Sequence, residues 1–190
     1  AKIQAIFILL QVNRTAVIAE RIAKGFITNV NPAVVDVDGF LSFSLSVQNR
    51  RKSRVGLALE NHLESLFLER GLRYTRAAIT EQKSKPDFLF PGKDEYHNLC
   101  FDSLNLTMLG VKTTCKDRWR QVLAEADRIE KKHLITLETA ISKNQTDEMH
   151  SKSLQLVLPR SLHRTYTTSQ QEWLMDLETF ISLVKQRQRC

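Results

Sequence analysis

Apolar and polar positions along the chain change period several times, and each change marks an element. Over residues 2–24, Ile6, Leu9, Leu10, Val17, Ile18 and Ile22 follow a spacing that suits one or two amphipathic helices. Gly25 and the segment Asn29-Val30-Asn31-Pro32 read as a stop and a turn. Over 33–47, Phe40, Phe43 and Leu45 exchange with Ser42, Ser44 and Ser46, a strand-like or loop-like pattern. A helix is expected over 54–70, with Leu59, Leu63, Leu66 and Phe67 on one face and Gly71 closing it. Four short strands follow, over 85–90, 104–112, 133–137 and 154–158. A helix over 117–132 lies between the second and third, packed through Trp119, Val122, Leu123, Ala126 and Ile129. The polar stretch 143–153 reads as an exposed loop. A last helix over 169–187 presents Trp173, Leu174, Leu177, Phe180, Ile181 and Val184. Helix, strands, helix and strand in this order predict an α/β fold, with a mixed β-sheet flanked by helices.

Composition places this pattern in a globular chain. Its 190 residues are 42% hydrophobic and 26% charged, enough for a single domain over 1–190 with a real core. The 28 basic and 21 acidic residues leave a net charge of +7, and the sequence pI is near 9.5. That sign favours a polyanionic partner, nucleic acid first. The three cysteines, Cys100, Cys115 and Cys190, show no CxxC spacing, so neither a disulfide framework nor a zinc site is expected. A reducing, cytoplasmic setting is the natural reading. The apolar run from Ala5 to Leu10 is far short of a membrane span. The chain starts without Met, already inside a helix-like pattern and with no small-residue cleavage site. A piece of a longer chain, or a trimmed one, is expected.

Three places carry residue types suited to chemistry. In Lys85-Pro86-Asp87, Pro86 pins the start of a strand and Asp87 is presented at its edge, where a fixed carboxylate can hold a divalent cation. A turn Asp after Pro is the bland alternative. Lys112 ends the apolar segment Leu109-Gly110-Val111. Strands favour apolar and β-branched residues, so a Lys there is either functional or an edge-strand charge that blocks aggregation. Glu125 falls inside the expected helix, thirteen residues after Lys112, at the margin of the face formed by Val122, Ala126 and Ile129. It is either aimed at the sheet or solvated.

Together these residues resemble the PD-(D/E)xK nuclease motif. The usual form has an acid two residues before the Lys, and that position here is Gly110. Pro86, Asp87, Lys112 and Glu125 instead match the variant in which the second acid has moved to the following helix. That variant belongs to EcoRII-type restriction endonucleases, which read sites bounded by CC and GG. The resemblance is close over roughly residues 50–165, and it covers the catalytic C-terminal half of such enzymes; residues 1–45 are a helical or irregular part, and the N-terminal effector domain is expected to be absent. It implies a restriction-endonuclease-like core, Mg²⁺-dependent hydrolysis of a palindromic 5′-CCWGG site in double-stranded DNA, and a homodimer. It implies Asp87 and Glu125 as metal carboxylates, with the main-chain carbonyl of Val111 as a third ligand. Glu60 is the extra acid of the early helix, with Glu64 its competitor. Lys112 stabilises the transition state. Lys116, Asp117 and Arg118 read the outer base pairs. The basic run Arg50, Arg51, Lys52 and Arg54 contacts backbone or minor groove. Neither a membrane nor an organic cofactor is expected.

Two rival readings differ in kind. A tyrosine recombinase or topoisomerase would need Arg and His around a Tyr nucleophile. Tyr96 sits in a polar stretch, and Arg160, His163 and Arg164 precede Tyr166, but the order Arg160-x-x-His163 reverses the recombinase spacing. A non-catalytic DNA-binding module is the other rival, and the retained Asp87, Lys112 and Glu125 argue against it. His62, His97, His133, His150 and His163 show no metal-ligand spacing and are expected to be solvated or to serve packing.

Overall fold

The structure, a computed structural model, describes residues 37–115 and 118–189. The expected elements over 2–32, and the side chains of Lys116 and Asp117, lie outside the described residues. The chain divides into two compact units, Ala1–His62 and Leu63–Cys190.

Helix α1 spans Val37–Glu69, so it starts well before residue 54 and, over the described residues 37–47, replaces the strand or loop expected over 33–47. The serines misled the period. Ser46 Oγ donates to the Phe43 carbonyl at 2.7 Å, a bond by which a helix accommodates serine. Ser44 and Val47, one turn apart, are both buried, as is Leu59. Within this first unit the helix exposes Arg50, Lys52 and Arg54 and half-buries Arg51. Beyond residue 62 it buries Leu63 and Phe67. It ends in a Schellman cap: Gly71 takes φ +68, its N–H donates to Leu68, and the Leu72 N–H donates to Phe67.

The second unit follows with β1 (Thr75–Arg76), β2 (Phe88–Phe90), α2 (Lys93–His97), β3 (Thr107–Lys112), α3 (Trp119–Leu123), β4 (Lys132–Thr136), α4 (Lys143–Ser151), β5 (Leu154–Leu158), α5 (Arg160–His163), α6 (Thr168–Gln171), β6 (Met175–Asp176) and α7 (Leu177–Arg187). The six strands form one sheet in sequence order. β1, β2 and β3 pair antiparallel, and β3 to β6 run parallel. The sheet is therefore mixed, as expected.

Strand alternation divides the side chains between two cores. One face carries Leu89, Met108, Leu134, Leu154, Leu156 and Leu158, covered by Trp119, Val122, Ala126, Met149 and Tyr166. The opposite face carries Phe88, Phe90, Leu109, Ile135 and Val157, all buried. There Phe67 packs edge-on against Phe88 and Phe90 at 5.2 and 5.3 Å, and Phe180 of α7 meets Phe90 at 5.9 Å.

Several expected elements are redrawn. The helix over 117–132 is the single turn and a half of α3, and Glu125 lies in the turn after it. Ala126 at φ +52 breaks the helical path. The loop over 143–153 is helix α4, capped by Ser142 and burying Thr146 and Met149 one turn apart. The helix over 169–187 is interrupted by β6. Asp176 caps α7 by accepting from the Thr179 N–H, so Trp173 and Leu174 precede the last helix and join the first core. Tyr96 sits in α2 rather than in a polar loop, and it is buried. No helix among the described residues is long and apolar enough to cross a membrane.

Candidate active site

Register sets the site. Phe88 of β2 stands opposite Leu109 of β3, so one step further Asp87 stands opposite Gly110, and directly opposed residues share a face. Buried Pro86 precedes it. One carboxylate oxygen of Asp87, Oδ2, accepts the Val111 N–H at 2.6 Å and the Lys112 Nζ at 3.1 Å. Both side chains keep about a fifth of their surface in solvent (20% each). Lys112 ends β3, which lies between β2 and β4. The edge-strand reading of this lysine is therefore excluded.

Gly110 explains why no acid stands two residues before the lysine. A Cβ built there would lie 2.9 and 3.1 Å from the two methyl carbons of Val122. Val122 is fully buried in α3, and a β-branched side chain has little freedom to turn away. Helix α3 thus sits on β3 so closely that position 110 admits only hydrogen.

Burial pushes the Glu125 carboxyl up to about 7, against the pull of the Lys112 ammonium and with a further push from Asp87. The three groups therefore feel one another. Glu125 Oε2 is buried and meets no hydrogen-bond donor. An acceptor in that position is costly unless something positive meets it. Mg²⁺ takes oxygen donors, commonly one or two carboxylates with water completing the shell, and Asp87 with Glu125 fits that donor set. No group of three or more His, Cys, Asp or Glu side chains suited to a metal occurs among the described residues, so the fit rests on these two carboxylates and main-chain oxygen.

The other expected residues are placed as follows. Glu60 lies in the part of α1 that belongs to the first unit. Glu64, its competitor, is engaged structurally: it accepts from Tyr74 Oη at 3.2 Å and pairs with Arg76 at 2.6 Å. Arg118 is exposed at the start of α3 and its N–H donates to the Cys115 carbonyl at 2.8 Å. The tyrosines are occupied. The Tyr96 hydroxyl donates to Glu81 and receives the Arg128 N–H, while Tyr166 donates to the Glu138 carbonyl at 2.8 Å. Burial raises both phenols above their ordinary value, which suits neither to nucleophilic attack. The histidines pack. His133 lies 5.2 Å from Phe180, and burial pushes it down to about 3. His97 and His163 bond main-chain carbonyls.

Sequence reasoning missed Lys132. It is buried at the start of β4, and its Nζ donates to the carbonyls of Leu123 at 2.9 Å and Glu125 at 2.7 Å. The available signal was a lysine two residues before Leu134 in an apolar strand, which alternation turns inward.

Comparison with known proteins identifies the family and the fold. The family model described as EcoRII C terminal matches residues 10–181. The type II restriction enzyme EcoRII of Escherichia coli is 52% identical over 147 residues, covering 77% of this chain and 36% of the enzyme; the chain thus spans about a third of that relative. Two solved structures of Ecl18kI share the fold. The metal-depleted protein with uncleaved, modified DNA has a TM-score of 0.66 at 22% identity, and that with uncleaved DNA 0.65 at 23%. Each covers 77% of this chain, which spans 49% of theirs.

Proposed function

The chain belongs to the EcoRII C-terminal family, and from that premise we propose that it is the catalytic domain of a type II restriction endonuclease, hydrolysing both strands of a palindromic 5′-CCWGG site as a cytoplasmic homodimer. The observation that carries the reading is the convergence of Asp87, Lys112 and Glu125 on one face of the sheet, with an oxygen of Glu125 buried and unmet.

Asp87 and Glu125 would hold Mg²⁺ with the Val111 carbonyl. When bound, the ion lowers the pKa of a coordinated water and neutralises charge on the scissile phosphate. Asp87 is held by two donors on one oxygen, and Oδ1 would be the oxygen offered to the ion. Lys112 uses one of its three donors on Asp87. The others can meet a phosphoryl oxygen or orient the attacking water, and a fixed positive charge there stabilises the developing dianion. Water attacks phosphorus, the P–O3′ bond breaks, and a 5′-phosphate and 3′-hydroxyl result. Lys116, Asp117 and Arg118 lie a few residues beyond Lys112. An acid accepts from cytosine N4, and an Arg bonds guanine O6 and N7 bidentately, so this trio would read the outer CC:GG pairs. Arg50, Arg51, Lys52 and Arg54 would meet phosphates, the sequence-independent share of affinity.

The test is digestion of unmethylated plasmid with Mg²⁺, followed by mapping of the ends. Cuts before the first C of 5′-CCWGG, abolished by EDTA, are expected. Cleavage that persists in EDTA, or no cleavage of any plasmid with Mg²⁺, would overturn the reading.

A further inference from the structure

Glu125 stands at the site without a helix or strand of its own to hold it, since it lies in the turn between α3 and β4. Its backbone is nonetheless tied on both sides. Its N–H donates to the Val122 carbonyl at 3.2 Å, and its carbonyl receives Lys132 Nζ at 2.7 Å. The same ammonium bonds the Leu123 carbonyl at 2.9 Å, one of the acceptors a helix leaves unpaired at its C-terminal end. The neighbouring residues are braced from the segment leading to Asp87. Ser84 Oγ donates to the Ala124 carbonyl at 3.4 Å, and the Ala126 N–H donates to Thr80 Oγ1 at 3.4 Å. A buried ammonium is costly, and hydrogen bonds to charged groups are the strong ones that offset the cost. The strongest bonds in this brace therefore come from Lys132.

We infer that Lys132 is a positioning residue for the proposed nuclease site: by clamping the carbonyls of Leu123 and Glu125 it fixes the turn that aims the Glu125 carboxylate at Asp87 and Lys112. This rests on the nuclease reading for its catalytic consequence, but the clamp itself does not. Lys132 makes no hydrogen bond to either carboxylate; it holds the site through the peptide of Glu125, while its charge also favours the ionised Glu125 carboxyl.

The experiment compares wild type, Lys132→Met, Lys132→Arg and Asp87→Ala in three measurements. Amide hydrogen exchange of residues 123–126 is the first, and it needs neither metal nor DNA. In Lys132→Met it should accelerate about tenfold or more while the β4 and α7 amides keep their protection, as local opening does. The second is affinity for a cognate duplex without metal, which should match wild type. The third is single-turnover cleavage, which should fall about 10–100-fold, as when the outer support of a ligand is lost, with a higher Mg²⁺ concentration for half-maximal rate. Lys132→Arg, which still offers several donors to the two carbonyls, should recover part of both. Unchanged exchange at 123–126 overturns the clamp. Accelerated exchange with wild-type cleavage and Mg²⁺ dependence overturns the positioning role. A wild type that cuts no DNA sinks the nuclease reading and leaves the exchange result to decide the clamp. If Lys132→Met does not fold, Lys132→Arg is judged alone, and exchange and cleavage equal to Asp87→Ala rather than intermediate would overturn the inference.

Discussion

At the scale of single residues, the proposed site treats its two carboxylates unequally. Asp87 has donors on one oxygen, from Val111 N–H and Lys112 Nζ, whereas Glu125 is buried with an oxygen that meets none. In the proposed site Asp87 would be structural and chemical at once, and Glu125 would meet the cation. Asp87→Ala, Lys112→Ala and Glu125→Ala should each lower single-turnover cleavage by at least about 100-fold, the usual loss when a preorganised electrostatic group is removed. Affinity for the cognate duplex in EDTA should be largely retained. A Glu125→Ala variant that cuts normally beside a dead Glu60→Ala would move the second acid to α1.

At the scale of elements, the close seat of α3 on β3 decides where that acid can be. Because Val122 occupies the space beside Gly110, Gly110→Asp should overpack the core and cost roughly 1–3 kcal/mol. It should not restore cleavage to Glu125→Ala, although it recreates the acid-x-Lys spacing. Restored cutting with an unchanged melting temperature would refute this account of the glycine. Helix α7 depends on a different local device. Asp176 accepts the Thr179 N–H at 2.8 Å and pairs with Arg160 at 2.8 Å, and the Thr179 bond leads the effects that hold its carboxyl below the ordinary value. A depressed carboxyl stabilises the fold above its unfolded pKa and loses that contribution as pH falls through the folded one. Asp176→Ala should therefore cost about 1 kcal/mol near neutrality, as the loss of a helix cap does. The deficit should shrink below the ordinary carboxylate range near pH 4. Urea melts at pH 7 and pH 3 measure it, and an equal deficit at both would rule out the charged cap.

Over the whole molecule, the proposed site lies on one face of the sheet and the phenylalanine core on the other, and a net charge of +7 suits the proposed polyanionic partner. Base reading and phosphate contact should separate by residue. Arg118→Ala should weaken cognate binding by about 1–3 kcal/mol and spare scrambled duplex. Lys52→Ala should weaken both and lower the salt slope by about one unit. Salt titrations on the two duplexes compare them, and an equal loss on both for Arg118→Ala would make it a backbone contact.

The sequence by itself determined the mixed α/β architecture, because alternation and 3.6-residue periods survive wherever an element buries one face. It also determined Asp87, Lys112 and Glu125 as the residues to watch, because charges beside apolar strands are scarce and their spacing matches a family pattern. It misjudged 33–47, 117–132 and 143–153, where serine, one residue at positive φ and a polar stretch hid what packing imposed. Only the tertiary structure decided the rest. That Lys112 lies inside the sheet follows from strand order, and that Val122 closes position 110 and that Lys132 rather than a helix holds Glu125 follow from how α3 and the turn after it are packed onto the sheet. A linear pattern records which side chains turn inward, but what they meet there depends on how the strands are laid side by side.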